Sequence, residues 1–281
     1  MGEILATPGA VRRLIEAYGF RLKKSLGQNF LVDRNILDKI IRVAELQPSD
    51  IVLEIGPGVG GLTQALAEAG AFVVAVEIDR NLVAILGEVL ADYPQIRVVH
   101  GDALQLPLAE LLPAGRACRV VANLPYYITS PLLLKLFEEQ LPLSMAVVMV
   151  QREVAQRIVA KPGSKEYGAL SVAIAYHAEA EIVASVSRSV FFPPPNVDSS
   201  VLRLLPRPFP YPAADAATFS TVVRAAFGQR RKTLRNALRT AVNHTSTVLE
   251  RAAIDGNRRG ETLSPAEFGQ LSLACVGYLK A

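Results

Sequence analysis

The chain contains 281 residues, 51% of them hydrophobic and 20% charged, with a formal net charge of +4. This composition excludes an intrinsically disordered chain, and the length suffices for one large domain and a smaller second one. The small positive charge is compatible with a polyanionic partner without requiring one. Cys118 and Cys275, the only cysteines, lie far apart and indicate neither a disulfide framework nor a metal site. Without a secretory signal or a membrane-length apolar run, we expect a cytoplasmic protein with no membrane contact, and a monomer by default.

Short apolar runs alternate with helical patterns over the first two hundred residues. The predicted strands cover residues 51–55, 72–76, 96–100, 119–122 and 144–150, with two more at 179–190 and 199–205 around the Pro193–Pro195 turn. The first five are short and rich in β-branched residues, which is typical of buried parallel strands, and the last two are expected to pair antiparallel. Helical spacing separates them, and a third helix is predicted to begin with Ser130 as cap and Pro131 at the first helical position. This rhythm predicts an α/β fold, a Rossmann-like doubly wound sheet with helices on both faces.

The chain changes character near its proline-rich stretch, residues 206–212. Prolines at this density can continue neither a strand nor a helix, so we interpret the stretch as a linker. Beyond it the patterns are helical only, and a capping box at Ser264 predicts the start of a last helix. The predicted domains are 1–206 and 207–281, the second small and all-helical.

Glycines and an acidic residue follow the first two predicted strands. Gly56, Gly58 and Gly61 satisfy the pattern G-x-G-x-x-G between a strand and a helix, where missing side chains let the backbone approach a nucleoside closely. Glu77 ends the next strand, about twenty residues on, where a carboxylate can hold both ribose hydroxyls. These features alone fit a dinucleotide enzyme and a methyltransferase comparably well.

Polar residues also follow the third and fourth strands. Asp102 can accept a hydrogen bond from the adenine amine of a cofactor, although a Gly-Asp pair is more often an ordinary turn. The tetrapeptide Asn123-Leu124-Pro125-Tyr126 follows the fourth strand and belongs to no nicotinamide signature. Because ligands bind beyond the carboxyl ends of strands in such sheets, we expect these residues to share one site.

Several longer segments recur in a fixed order along the chain. They are Ser25–Leu31, the glycine loop, the tetrapeptide 123–126, Gln151–Ala155, Phe191–Ser199 and Phe227–Asn236. In this order they resemble the small-subunit (16S) ribosomal RNA adenine N6,N6-dimethyltransferases (KsgA/RsmA) over nearly the whole chain. The resemblance implies a class I methyltransferase domain that uses S-adenosyl-L-methionine, followed by a helical rRNA-binding domain. The activity it implies is dimethylation of the N6 amine of two adjacent adenosines near the 3′ end of 16S rRNA during small-subunit biogenesis.

The resemblance also implies roles for individual residues. The residues that it assigns to the cofactor are Asn29, Leu31, Gly56, Gly58, Glu77, Asp102 and Asn123. Asn29 and Leu31 match a segment that covers the methionine part of the cofactor, and Asn123 matches a residue bordering both cofactor and target base. The sequence departs from the family at Asn196, where lysine is usual, which removes one phosphate contact. Tyr127 matches no fixed residue and is assigned no role.

The tetrapeptide suits chemistry on an adenine amine, a poor nucleophile because its lone pair is delocalised into the ring. The Asn123 side-chain oxygen and the Leu124 carbonyl can accept the two amine hydrogens and favour a pyramidal nitrogen. Pro125 fixes the backbone, and Tyr126 offers a face for stacking. The target adenine must leave its own stack, and Phe191 is the candidate for its opposite face; the alternative is a core aromatic.

Basic residues cluster in the second predicted domain, with no acid between Arg224 and Arg239. The predicted rRNA contacts are Arg230, Arg231, Lys232 and Arg235. On one continuous helix, Arg231, Arg235 and Arg239 would share a face and contact phosphates; the alternative is a solvated helix face. A smaller basic cluster within residues 21–24 is expected to be a mobile arm that orders on binding.

Three hypotheses of function remain from the sequence. The first is the rRNA adenine dimethyltransferase, the second a ribosome assembly or checkpoint factor acting mainly by binding, and the third a nicotinamide dehydrogenase. The intact glycine loop, Glu77 and Asn123 favour retained catalysis, and nothing offers a hydride acceptor site. Within the family, a large-subunit rRNA adenine methyltransferase is a closer rival. The proline-rich linker, the helical tail and residues 227–236 favour the small-subunit enzyme.

Overall fold

A computed structural model describes residues 5–23, 26–139, 141–229 and 231–280. The chain divides into two compact units. The first comprises Met1–Ala155 and Glu181–Leu205, and the second comprises Gln156–Ala180 and Pro206–Ala281. Among the described residues, no helix has the length and apolarity needed to cross a membrane.

The first unit is built on a seven-stranded sheet. Its strands are β2 (Ile51–Ile55), β3 (Phe72–Glu77), β4 (Ile96–His100), β5 (Cys118–Asn123), β6 (Leu143–Gln151), β7 (Ala178–Val186) and β9 (Ser199–Pro206). They lie in the order β4-β3-β2-β5-β6-β9-β7. The first five are parallel, and β9 pairs antiparallel with β6. The five predicted parallel strands are therefore confirmed, and β7 and β9 are neighbours in the sheet as expected.

Helices alternate with these strands along the chain. Those of the first unit are α1 (Pro8–Ala17), α2 (Arg34–Ala44), α3 (Gly61–Glu68), α4 (Arg80–Val89) and α5 (Thr129–Glu138), and α6 (Arg152–Ile158) runs across the boundary of the units. All five residues of β2 are buried, as expected for a parallel strand inside a helix-covered sheet. The predicted Rossmann-like architecture is confirmed.

Capping side chains define where several helices begin. The Asp33 and Asp79 carboxylates accept hydrogen bonds from backbone N–H groups in the first turns of α2 and α4. The predicted start of α5 was wrong. The helix begins at Thr129, one residue before Ser130, and its N-cap Ile128 makes no side-chain cap. The Thr129 hydroxyl instead donates to the Pro125 carbonyl at 3.0 Å, which ties the helix start to the preceding turn.

A short second sheet pairs β1 (Phe30–Leu31) with β8 (Phe191–Phe192) in antiparallel register. Phe30 faces Phe192, and Leu31 faces Phe191. Leu31 and Phe191 both belong to the hydrophobic core cluster that includes residues of β2, β3 and β6. This pairing brings the segment before α2 against the one before β9, although they are far apart in sequence.

The second unit is mainly helical. Its helices are α7 (Ala169–His177), α8 (Ala216–Phe227), α9 (Leu234–Leu238), α10 (Thr245–Arg251) and α11 (Pro265–Cys275), and α11 begins with the predicted Ser264 capping box. Residues 156–180 group with this unit, whereas the sequence placed them before the 206/207 boundary. The reason is packing: Tyr167 and Val172 belong to the helical core, and the Tyr167 hydroxyl donates to the Leu263 carbonyl at 2.8 Å.

The predicted continuous basic helix was wrong. Helix α8 ends at Phe227 and α9 begins at Leu234, and the described residues 228–229 and 231–233 are not helical, so Arg231 lies on a turn and not on α9. The first N–H groups of α9 bond to a different segment: Leu234 N donates to Arg258 O at 2.7 Å and Arg235 N to Gly256 O at 3.0 Å. These bonds tie the start of α9 to the segment that contains Gly256 and Arg258.

Candidate active site

A solvent-open cavity lies at the carboxyl ends of β2, β3, β4 and β5. It is lined by every residue that the sequence assigned to the cofactor: Asn29, Leu31, Gly56, Gly58, Glu77, Asp102 and Asn123. Leu124, Pro125 and Tyr126 line it too. The sheet thus brings residues separated by almost a hundred positions into one site, because parallel strands end at the same edge.

The glycine loop forms one wall of the cavity. Gly58 has a φ of +60°, and a Cβ built there would lie 2.8 Å from Cδ1 of the Phe30 ring. At Gly61, which begins α3, a Cβ would lie 2.6 Å from the Leu5 carbonyl oxygen. Both positions therefore require glycine, one for conformation and contact and the other for contact alone. The bare backbone of the loop remains open to a ligand on the cavity side.

The Glu77 carboxylate is held in place by backbone groups. Its Oε1 accepts from Asp79 N at 2.9 Å, and its Oε2 accepts from Gly58 N at 3.3 Å. Burial raises the pKa of Glu77, and these hydrogen bonds partly oppose that rise. The contact with Gly58 joins the acid at the end of β3 to the glycine loop. A nucleoside in the cavity would therefore contact the Glu77 carboxylate and the glycine loop side by side.

Asp79 anchors the segment that leads into Asn29. Its side chain is almost fully buried, and it accepts from Lys23 Nζ at 2.9 Å and from Gln28 Nε2 at 3.1 Å. Lys23 beside it helps to lower the pKa of Asp79 against the effect of burial. Lys23 is therefore tied to the first unit, contrary to the expectation of a mobile arm. Lys24, also part of that expectation, lies outside the described residues.

Asp102 forms the ordinary turn that was one of its two interpretations from the sequence. Its Oδ1 accepts from Leu104 N at 2.9 Å, the geometry of a turn that closes on its own side chain. The residue also lines the cavity. The turn therefore fixes the carboxylate at the cavity wall.

The Asn123 amide is oriented by a hydrogen bond across the cavity. Its Nδ2 donates to the Asn29 backbone carbonyl at 3.3 Å. A carbonyl can only accept, so the amide nitrogen must face Asn29 and the oxygen Oδ1 must face away from it. The backbone after Asn123 is held as well, because Leu124 N donates to Met149 O at 3.0 Å. The arrangement leaves Oδ1 as an acceptor at the end of β5.

The remaining half of the tetrapeptide forms a closed turn. The Pro125 carbonyl accepts from both Ile128 N at 3.2 Å and Thr129 Oγ1 at 3.0 Å. Tyr126 is half-buried, and its hydroxyl lies 2.6 Å from the Ser199 hydroxyl. Burial raises the pKa of Tyr126, so its hydroxyl is protonated at neutral pH. The ring is thereby attached at its far end to β9.

Phe191 occupies a different place from the one that its predicted stacking role requires. The side chain is 3% exposed, packs in the core beside Leu31, and is absent from the cavity lining of the described residues. The reason is the β1–β8 pairing, which points Phe191 inward. The alternative interpretation, a core aromatic, fits this position.

Several residues that line the cavity were given no role from the sequence, and Glu54, Ile78 and Tyr127 are three of them. Glu54 is 1% exposed, its Oε2 has no hydrogen-bond partner among the described residues, and burial raises its pKa to about 8. Ile78 and Tyr127 are large side chains that are 39% and 49% exposed where they line the cavity. The position of Ile78 directly after Glu77 is the one sequence signal that could have identified it. Exposed apolar groups of this size suit a planar nucleobase.

The predicted rRNA contacts belong to the second unit. Arg231, Lys232 and Arg235 are all exposed, and Arg230 lies outside the described residues. Arg235 Nη1 donates to the Ser246 hydroxyl at 3.3 Å, which leaves part of its guanidinium available. The three residues come from a turn and a short helix, so they share a neighbourhood in the chain without forming one helix face.

The fold and the cavity together define a Rossmann-like methyltransferase: a glycine loop, an acid on the next strand, and an Asn-Leu-Pro-Tyr turn at one edge of the sheet. Residues 19–274 match the family model described as ribosomal RNA adenine dimethylase. The chain therefore belongs to the ribosomal RNA adenine dimethylase family, and it is a methyltransferase enzyme.

Individual relatives agree with this family. The chain is 49% identical to the ribosomal RNA small subunit methyltransferase A of Bacillus cytotoxicus over 286 residues, covering 98% of each chain. The protein of the same name from Bacillus mycoides is 49% identical over 284 residues, covering 97% of each.

Two solved structures are also similar. A dimethyladenosine transferase from Plasmodium falciparum has a TM-score of 0.75 and 28% identity, covering 89% of this chain and 99% of its own. The 23S rRNA methyltransferase ErmE has a TM-score of 0.65 and 30% identity, covering 88% of this chain and 100% of its own.

Proposed function

We propose that this enzyme uses S-adenosyl-L-methionine to dimethylate the N6 amines of two adjacent adenosines near the 3′ end of 16S rRNA during small-subunit biogenesis. The observation that carries the proposal is the single cavity in which the glycine loop, Glu77 and Asp102 meet the Asn123–Tyr126 turn. The family match and the names of the Bacillus relatives support the choice of substrate. We propose that the enzyme acts in the cytoplasm, as a monomer.

The cavity fits a nucleoside cofactor. Glu77 presents a carboxylate for the two ribose hydroxyls, Asp102 one for the adenine amine, and Ile78 an apolar surface for the base. A Cβ at Gly56 would lie 3.1 Å from the Pro125 ring, so the missing side chain lets the glycine loop pack closely against the tetrapeptide turn. When bound, S-adenosyl-L-methionine supplies a methyl group on a sulfonium that already carries its leaving group. Asn29 and Leu31 would hold its methionine part.

The Asn123–Leu124 backbone and amide orient the target amine. The Asn123 Oδ1, turned away from Asn29, accepts one N–H of the adenine, and the Leu124 carbonyl accepts the other. Two acceptors on one side of the nitrogen favour the pyramidal form and aim its lone pair to the opposite side. Catalysis then rests on positioning rather than on a strong base. After the first methyl transfer one N–H remains, so one acceptor suffices for the second.

The ring of Tyr126 is the platform for the extruded base. A target adenine leaves its stack to reach a pocket, and an aromatic face replaces part of the lost stacking. Tyr126 is half-buried beside Asn123 and fixed at its hydroxyl. Tyr127, exposed at the same cavity, is a second aromatic at the entrance.

The exposed basic residues of the second unit are the proposed phosphate contacts. Arg231, Lys232 and Arg235 can bind the sugar–phosphate backbone without reading sequence, which positions the enzyme on its substrate. Arg230 is included on the basis of the sequence alone. Recognition of the target adenines then falls to the cavity and to the shape of the subunit.

A large-subunit substrate is the second candidate, because ErmE is similar at 30% identity and a TM-score of 0.65. Purified wild-type protein should be incubated with labelled S-adenosyl-L-methionine and an equal mixture of immature small subunits and protein-free large-subunit RNA. We expect label in the small-subunit RNA alone, and label mainly in the large-subunit RNA would contradict the proposed substrate.

A calorimetric titration with NAD addresses the dehydrogenase hypothesis, for which tight NAD binding would be required.

The assembly-factor hypothesis predicts a different outcome in cells. If binding alone matters, an Asn123→Ala variant restores normal small-subunit maturation in cells lacking the protein. We expect it to restore subunit binding and to leave the rRNA unmethylated. Comparison of subunit profiles with methylation status in the same cells separates the two roles.

A further inference from the structure

The hydroxyl of Tyr126 makes a hydrogen bond that the methyl-transfer chemistry does not itself require. It lies 2.6 Å from Ser199 Oγ, within the short range for hydroxyl pairs. Stacking needs only the aromatic ring, which phenylalanine would also provide. The hydroxyl therefore points to a second requirement, that the ring be held in one orientation.

Ser199 is a rigid anchor. It is fully buried, it begins β9, and its Cα is in register with Gln151 on β6. The residue before it is also fixed, because Asp198 O accepts from Arg152 N at 3.0 Å. A buried hydroxyl is costly unless it is paired, and Tyr126 is its hydrogen-bond partner among the described residues.

The bond links three adjacent strands at one edge of the sheet. Asn123 ends β5 and is in register with Met149 on β6, while Gln151 on β6 is in register with Ser199 on β9. The Tyr126 side chain thus reaches from the turn after β5 past the end of β6 to β9. Its orientation is set by the sheet and not only by the turn that carries it.

We propose that Ser199 is a positioning residue for the target adenine: through its hydrogen bond to Tyr126 it fixes the ring on which the base stacks. The proposal rests on the proposed function and adds a residue outside the tetrapeptide. Without the bond, the Tyr126 ring rotates more freely and leaves a half-buried hydroxyl unpaired, so fewer complexes hold the base in the reactive geometry.

The test is a double-mutant cycle on methyl transfer to immature small subunits, with Ser199→Ala, Tyr126→Phe and the double variant. Loss of one such hydrogen bond corresponds to roughly a 10-fold decrease in kcat/KM. We expect each single variant to show it, and the double variant to be no slower than either single one. The dissociation constant of S-adenosylhomocysteine, measured by calorimetry, should stay within about 2-fold of wild type.

Two further variants serve as controls. Ser200→Ala removes a buried hydroxyl at the next position of β9, whose side chain points to the other face of the sheet, and should leave kcat/KM unchanged. Ser199→Thr keeps the hydroxyl and should recover most of the rate lost in Ser199→Ala.

Several outcomes would overturn the positioning role. They are wild-type kcat/KM in Ser199→Ala, additive losses in the double variant, or an equal loss in Ser200→Ala. A parallel loss of S-adenosylhomocysteine affinity would likewise assign Ser199 to general folding. If the wild-type chain itself transferred no methyl group to small subunits, the proposed function would fail instead, which the wild-type reaction shows separately.

Discussion

Glu54 provides a quantitative test of the cavity's electrostatics. The residue is the penultimate one of β2, just before the glycine loop, and is 1% exposed; its Oε2 has no hydrogen-bond partner among the described residues. Burial raises its pKa from 4.5 to about 8, since the charged form loses its hydration. Replacement by glutamine keeps the shape and removes the ionisation. We therefore expect Glu54→Gln to stabilise the cofactor-free protein at neutral and alkaline pH.

The size of the effect follows from proton linkage. The folded protein favours the protonated carboxyl, so the stability associated with it is fully present below pH 4.5 and is lost as the pH rises to about 8. Each tenfold change in proton affinity corresponds to roughly 1.4 kcal/mol. The free energy of unfolding of Glu54→Gln should therefore exceed that of wild type by roughly 1 kcal/mol at pH 5 and by roughly 4 kcal/mol at pH 8. Above pH 8 this difference should change little.

Urea unfolding at several pH values between 5 and 9 measures this difference directly. Glu110→Gln is the matched control, because Glu110 is exposed and should show no comparable pH trend. If the stability difference between Glu54→Gln and wild type were the same at pH 5 and pH 9, the pKa of Glu54 would not be raised by burial in the folded protein. A glutamine variant that is less stable than wild type throughout this range would also contradict the prediction.

Two other predictions concern the loop and the basic surface. Gly58→Ala places a Cβ 2.8 Å from the Phe30 ring at a positive φ, so calorimetry should show cofactor binding weakened by about 10-fold or more; unchanged affinity would contradict the loop geometry. Alanine at both Arg231 and Lys232 should weaken binding to small subunits. The slope of the logarithm of the association constant against the logarithm of the salt concentration should become less negative by about 1.5 to 2. The control is Arg42→Ala, which removes an exposed arginine on α2. An equal effect in this variant would mean that the net charge of the protein, and not contact by Arg231 and Lys232, causes the weaker binding.

The sheet and most of the residues that line the cavity could be predicted from the sequence. The five parallel strands were predicted because hydrophobic runs and helical spacing are local signals. The convergence of Glu77, Asp102 and Asn123 followed from a general property of parallel sheets, that their carboxyl ends share an edge. The capping box at Ser264 was equally local, and α11 begins there.

What the sequence did not reveal depends on contacts between distant segments. Phe191 is buried because two-residue strands pair across the chain, and no periodicity marks strands so short. Lys23 is tied down by the almost fully buried Asp79, a partner that charge patterning could not identify. Arg231 lies off the α9 helix because the first N–H groups of α9 bond to residues 256 and 258. Ser199 was overlooked for the same reason, since its partner Tyr126 lies 73 residues away, in the turn after β5.

The proposed reaction of the Asn123 turn is N6,N6-dimethylation of adenine in small-subunit rRNA. To test it, small-subunit rRNA is digested after reaction with wild-type enzyme or Asn123→Ala, and the modified nucleosides are identified by mass spectrometry. We predict N6,N6-dimethyladenosine at two adjacent positions near the 3′ end with the wild type. With Asn123→Ala we predict a rate lower by about 100-fold or more, as for loss of a group that orients the reacting atom. Methylation of another atom would contradict the proposed reaction, and a fully active Asn123→Ala variant would contradict the role of Asn123 in orienting the target amine.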